Sequence, residues 1–204
     1  MYKFPYYTES DNKKVIDFIK ENAFAIITGI GENFPVATHI PLVIEEKDGK
    51  IFLHGHLLRK TDHHLAFEKN KNVLVIFNGP NCYVSASWYT TPEVGSTWNY
   101  MTVHARGKIC FTNEEGTYNA VKAISDKHEG TETLAAFNNL SKEYISQMMK
   151  AIVGFSIEVE SFENTFKLSQ NRDEASQKNI IEQLNKRGDF NSAAIAEKMS
   201  KWNS

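Results

Sequence analysis

The sequence predicts a mostly-β protein, an antiparallel, Greek-key-like barrel with peripheral helices, and three observations carry that expectation. Six or seven segments follow strand periodicity or form short apolar runs, most are separated by hairpin-length turns, and most strands are therefore neighbours in sequence. Closing such a sheet removes its exposed edges. With 204 residues, 41% hydrophobic and 12% aromatic, the chain is the size of one domain with a real core and room for a helical appendage.

The elements follow in order. SDNKKVIDFIKENAF opens with a capping Ser10 or Asp11 and sets Val15, Ile16, Phe18 and Ile19 on one face of a helix. AFAIITGI is a buried strand with GENF as its turn, and PVATHIPLVIEE is a second strand that pairs, across EKDGK, with IFLHGH. TDHHLAFEKN is a short helix. NVLVIFNG and CYVSASWY are two strands parted by the turn signal GPN, and the long strand NYMTVHARGKICFT follows a polar loop. NEEGTYNAVKAISDKHE and the segment around SKEYISQMMKA are helices. IVGFSIEVESFENTFKLS returns to strand periodicity, with Phe155, Ile157 and Val159 on one face. The tail is two helices broken at Arg187 and Gly188, so the expected organisation is a barrel domain over residues 1–172 and a helical extension over 173–204 packed on it.

Charge and motif content exclude several functions. The net charge of −2 is spread along the chain, which gives no footprint for binding a phosphate backbone, and direct DNA binding is not expected. No helix-turn-helix pattern is present, and in the tail Lys186, Arg187, Lys198 and Lys201 are balanced by Glu182, Asp189 and Glu197. Cys82 and Cys110 form no CxxC pair and suit a reducing, cytoplasmic compartment. No apolar run has the length of a signal peptide core or a membrane span. GxSxG, GxGxxG and P-loop patterns are absent, so no catalytic residue is assigned.

The stretch FLHGHLLRKTDHHLAF concentrates four of the seven histidines. His54 and His56 point to one side of a strand and could offer two metal ligands, but a zinc site wants a third that converges. His63 and His64 point about 100° apart on a helix and fit a solvated helix face. An anion cradle fits better: Arg59 and Lys60 lie in a turn before Thr61 or Asp62 at a helix N-terminus, where free N–H groups and the positive dipole end attract phosphate. His104, within TVHARG, is expected to be structural.

Five blocks resemble the successive signatures of the PaiB family: ATHIPL, FLHGHLLRKTDHH, VLVIFNGPNCYVSASWY, STWNYMTVHARG and FKLSQNR. Members are described as FMN-binding negative transcriptional regulators, and their fold is the FMN-binding split barrel also used by pyridoxamine phosphate oxidases. The resemblance covers most of the chain up to Arg172 and implies FMN as cofactor. It implies that Thr38, His39, Ile40 and Pro41 run beside the flavin ring, and that His54, Gly55, His56, Leu57, Arg59 and Lys60 hold the phosphate side. Gly55 would admit a close approach, and Asn78 would reach the ribityl chain. It also implies a homodimer with FMN at the interface, so that Trp98, Asn99, Tyr100, Lys167, Ser169, Gln170 and Arg172 come from the partner subunit. Trp88, Tyr89, Trp98 and Tyr100 equally suit core or interface packing. KLSQNR could hold the flavin or cap the next helix through Asn171 or Asp173.

Two functions remain open at this point. One is a flavin-dependent regulator, and the other is a small FMN-dependent oxidoreductase with indirect effects on transcription. Haem ligation by His39, His54 or His56 is a third, lower-ranked reading.

Overall fold

The computed structural model describes residues 1, 4–91 and 93–202. The first helix, α1 (Asn12–Glu21), is started by Asp11, whose carboxylate accepts from Lys13 N at 2.8 Å, and it buries Val15, Phe18 and Ile19. Strand β1 (Phe24–Ile30) then pairs antiparallel with β2 (Pro35–Pro41), in register from Phe24 opposite Pro41 to Ile30 opposite Pro35.

The expected single strand PVATHIPLVIEE is two strands. β2 stops at Pro41 and β3 (Val43–Lys47) starts after Leu42. Proline has no N–H with which to continue a ladder. Leu42 pins the bend, because its N–H donates to Ala23 O at 2.9 Å and the residue is only 1% exposed. β4 (Lys50–Leu58) returns along β3 through Asp48 and Gly49, which both have positive φ, as a tight two-residue hairpin turn requires.

Helix α2 (Asp62–Lys69) leads to β5 (Asn72–Val84). Here too the expectation fails, since GPN makes no turn and one strand runs through it. Gly79 keeps an ordinary φ, and its missing side chain leaves room for the Phe18 ring, 2.7 Å from where a Cβ would stand. The rest follows the predicted order: β6 (Thr97–Phe111), α3 (Glu114–Glu129), α4 (Lys142–Ala151), β7 (Ile152–Lys167), α5 (Glu174–Arg187) and α6 (Phe190–Trp202). Asp173 caps α5, and Gly188, with φ of 71°, ends it.

The seven strands form one antiparallel sheet in the order β2-β1-β5-β6-β7-β4-β3. The order starts at β2 and ends at β3, so no ladder closes it, and Leu42 alone joins the two outermost strands. The open, strand-rich antiparallel sheet is the one expected of a split barrel.

The chain divides into two compact units, one of residues 1–18, 78–103 and 163–204 and the other of residues 19–77 and 104–162. The second unit buries Ile27, Leu53, Phe67, Val75, Phe155 and Ile157, with a further cluster at Val121, Phe137 and Ile152. In the first unit the Phe18 and Phe166 rings lie 5.0 Å apart. Its terminal helices hold the loop after β5: Asn179 donates to Trp88 O at 2.9 Å, Thr90 donates to the Asp173 carboxylate at 2.9 Å, and Arg187 donates to Tyr83 O at 2.9 Å.

Candidate functional site

Strand β4 alternates as its sequence requires. Leu53, Gly55 and Leu57 face the core, while His54 and His56 share the other side. His54 Nε2 lies 2.8 Å from the Glu45 carboxylate on the neighbouring strand. His56 differs, since its Nδ1 is shut off from solvent without a hydrogen-bond partner, and burial pushes its pKa below the usual histidine value. Its imidazole is therefore held neutral, with an orphaned polar atom suited to a ligand.

The turn after β4 carries the two cations. Arg59 N donates to Ala151 O at 2.9 Å, and both Arg59 and Lys60 are exposed. Lys60 sits at φ of 63°, a region that favours glycine. His64 corrects the expectation of a solvated pair. It is 6% exposed, its ring centroid is 4.8 Å from that of Phe111, and its Nδ1 accepts from Lys60 N at 3.2 Å. The histidine thus braces the strained turn. Thr61 accepts from His64 N at 3.4 Å and Asp62 from His63 N at 2.7 Å, so these helix N–H groups are already satisfied within the chain. Positive charge at this place comes from Arg59 and Lys60. Arg59 also lines a cleft of about 540 Å³ with Glu114, Tyr118, Ser146, Met149 and Lys150, a neighbourhood that sequence gave no signal for.

The ATHIP segment lies on β2, an outermost strand that also meets β4. Thr38 and Pro41 are partly exposed, His39 is exposed, and Ile40 points into the core and offers its backbone alone. Pro41 sits at an edge, where a missing N–H is tolerated. Gly55 requires a correction. A Cβ there would meet Phe155 at 2.8 Å and Leu42 at 3.1 Å, so the missing side chain makes room for a core ring and leaves only the backbone to offer a cofactor. Leu57 is likewise a core side chain.

The remaining candidates gather in the other unit. Asn78 is exposed and accepts from the Thr102 hydroxyl at 3.3 Å. Trp98 is exposed beside Tyr83, with ring centroids 6.2 Å apart. Asn99 and Ser169 are 0% and 2% exposed and bond each other in both directions, at 3.0 and 3.1 Å. Gln170 accepts from Leu168 N at 2.8 Å and donates to Phe166 O. Three polar residues of the TWNY and KLSQNR blocks thus spend hydrogen bonds on shaping the chain. Lys167 donates to the Thr97 hydroxyl, and the Arg172 guanidinium lies 4.3 Å from the Tyr89 ring centroid. Asp173, not Asn171, supplies the cap. Among the described residues no three histidine, cysteine, aspartate or glutamate side chains converge as metal ligands.

Comparisons with known proteins give the family and the fold. Residues 1–161 match the family described as "Putative FMN-binding domain". The protease synthase and sporulation protein PAI 2 of Bacillus subtilis is 34% identical over 200 residues, covering 98% of this chain and 96% of that protein. Among solved structures, the flavocytochrome Anf3 from Azotobacter vinelandii superposes with a TM-score of 0.63 at 12% identity, covering 82% of this chain and 72% of that one. The FAD and heme binding protein from Mycobacterium smegmatis gives 0.58 at 12% identity, covering 79% and 73%. The fold is thus the flavin-binding split barrel, the cofactor is FMN, and the chain belongs to the PaiB family of FMN-binding proteins.

Proposed function

We propose that the protein is an FMN-dependent regulator that signals through the redox or ligand state of its flavin, working in the cytoplasm as a homodimer with FMN at the two-fold interface. The observation that carries this reading is the β4 segment, where the orphaned, buried Nδ1 of His56 lies just ahead of the two exposed cations Arg59 and Lys60. In this reading Arg59 and Lys60 bind the phosphate by charge, and His56 bonds the cofactor as a neutral imidazole. Thr38, His39, Pro41 and the backbone of Ile40, Gly55 and Leu57 line the flavin, with His54 at the margin and Asn78 toward the ribityl chain. From the partner subunit come Trp98, Tyr100, Lys167 and Arg172, while Asn99, Ser169 and Gln170 hold that wall in shape. Residues 1–172 form the flavin-binding part and 173–204 the helical extension that steadies it.

Bound FMN supplies one- or two-electron redox chemistry. The helices α5 and α6 favour a signal sent without direct DNA contact, because Lys178, Lys186 and Lys201 are each paired with a glutamate one turn earlier, Glu174, Glu182 and Glu197. The same pairing favours, as a second reading, a small FMN-dependent oxidoreductase with indirect effects on transcription. The test titrates FMN and riboflavin into wild-type protein and the Arg59→Ala, Lys60→Ala double variant. FMN affinity is expected to fall at least tenfold and riboflavin affinity to stay unchanged, and equal losses for both would overturn the phosphate assignment. A sequence-specific DNA complex that survives about 0.2 M salt would restore the direct repressor.

A further inference from the structure

In the unit formed by residues 1–18, 78–103 and 163–204, three buried residues from distant segments meet in one polar cluster: Asn99 on β6, Ser169 just after β7 and Met199 on α6. Asn99 Nδ2 donates to Ser169 Oγ at 3.0 Å and to Met199 Sδ at 3.5 Å, and Ser169 Oγ donates back to Asn99 Oδ1 at 3.1 Å. The two sides of this cluster are unequal. A thioether is a weak acceptor, so the bond toward α6 is the weaker one. Ser169 holds φ of 60°, a left-handed conformation that an ordinary residue keeps only where its surroundings enforce it. Its carbonyl accepts from Arg172 N at 3.0 Å, so the strained residue anchors the turn that follows β7. α6 is seated by one buried stripe, Ser192, Ile195, Ala196 and Met199, and Met199 is the C-terminal member of that stripe.

Successive side chains of a strand point to opposite faces, so Asn99 turns inward while Trp98 and Tyr100 turn outward, the first exposed and the second partly so. One backbone stretch therefore carries two aromatic residues of the proposed flavin wall and the amide that touches α6. A displacement of that stretch moves Asn99 Nδ2 against both of its acceptors, and the weaker bond, to Met199, gives first. We propose that α6 is the output element of the flavin site, with Asn99, Ser169 and Met199 as the joint between them. Occupation of the wall at Trp98 and Tyr100 fixes the amide and seats α6, and an empty wall lets the C-terminal end of α6 open locally. The inference rests on the proposed placement of flavin against Trp98 and Tyr100, and it names the route by which the state of that site reaches the helical extension.

The test follows amide hydrogen exchange in the full-length protein, along α6 with and without FMN and at residues 98–100 without it. In wild type, FMN is expected to slow exchange of the α6 amides by at least about fivefold, the low end of couplings between distinct sites, and Met199→Leu and Ser169→Gly should each bring that ratio toward unity. Met199→Leu keeps the apolar volume and removes the acceptor, while Ser169→Gly removes the hydroxyl at a φ that glycine adopts freely. Ile195→Val thins the same stripe away from the amide, so it should speed α6 exchange with and without FMN alike and keep the ratio, as Met199→Leu would if Met199 only packed. Exchange on α5 around Ile180 reports whether each variant is folded, and if Ser169→Gly is not, Met199→Leu alone decides. Because coupling is reciprocal, Met199→Leu should also speed exchange at residues 98–100 in the FMN-free protein. No such speeding would overturn the joint, whatever FMN does. A joint that transmits without FMN while α6 ignores the bound cofactor would overturn the output role and point to a flavin seated elsewhere. An FMN-dependent ratio unchanged by Met199→Leu would overturn the proposal as well.

Discussion

Replacing Lys60 by glycine should move stability and cofactor affinity in opposite directions. Lys60 has φ of 63°, a left-handed conformation that costs an ordinary residue about 1–2 kcal/mol relative to glycine. Glycine also loosens the unfolded chain, which offsets about 0.4–1 kcal/mol of the gain. The backbone bond from Lys60 N to His64 Nδ1 survives the change. The expected net effect on the FMN-free protein is a stabilisation of about 0–1.5 kcal/mol, or up to a few degrees in Tm for a chain of this size. FMN binding loses one charge-assisted contact, and because Lys60 is exposed the lower end of the range applies, about 1.5 kcal/mol or close to tenfold. Thermal unfolding without FMN and fluorescence titration with it measure the two effects. Lys60→Ala removes the same charge while keeping the strain, so it should match glycine in affinity and fall below it in Tm. Equal melting temperatures for the two variants, or unchanged FMN affinity, would refute the argument.

Three further outcomes are expected. His56 is half-buried with its Nδ1 enclosed, and its folded pKa lies below its unfolded value near 6.5, so the unfolded chain binds the extra proton as pH falls. Its contribution is present above about pH 6.5 and lost below it, and urea midpoints at pH 7.5 and 5.5 should differ less in His56→Leu than in wild type. Gly55→Ala should destabilise by about 1–3 kcal/mol through a clash with Phe155, and adding Phe155→Leu should recover part of the loss in denaturant unfolding. Hydrogen bonds to Ser176 hold Asp173 down at a pKa of about 2, so its capping is present above pH 3.8 and is lost as pH falls toward 2. Asp173→Ala should mimic that loss by speeding amide exchange at Thr90 and Ser176, and unchanged exchange would count against a latch between α5 and the loop after β5.

Much of the fold was legible because periodicity reports burial directly. The helices around Phe18 and Ile180, the β3–β4 hairpin at Asp48 and Gly49, and the break at Gly188 all follow from local pattern and turn chemistry. The two errors arose where tertiary contacts overrode local signals. Gly79 in GPN reads as a turn residue but makes space for Phe18, and the end of β2 depends on Pro41 together with the bond from Leu42 to Ala23. The cations Arg59 and Lys60 stood out in the sequence through their place between a strand and a cap. His64 did not, because adjacent histidines on a short helix look alike until Phe111 covers one of them. The meeting of Asn99 with Ser169 and Met199 had no signal, since these residues are far apart in the chain.

The single residue between β2 and β3 also bears on the order of assembly. β1–β2 and β3–β4 are local hairpins, and Leu42 strings them together as one continuous piece. By contrast β4 must wait for β7, where His54 pairs with Ser156. Closing so long a loop is entropically slow, and a growing chain emerges with its N-terminal part first. We expect the paired hairpins to gain amide protection early in a pulse-labelling experiment and β7 to gain it late. During synthesis the rim of β4 from Phe52 to Leu58 is then a bare strand edge until residues 152–158 arrive. The charges that flank this edge, Lys50 at one end and Arg59 and Lys60 beyond the other, are of the kind that disfavours pairing with other chains while the edge is bare, a duty separate from any they perform in the finished protein.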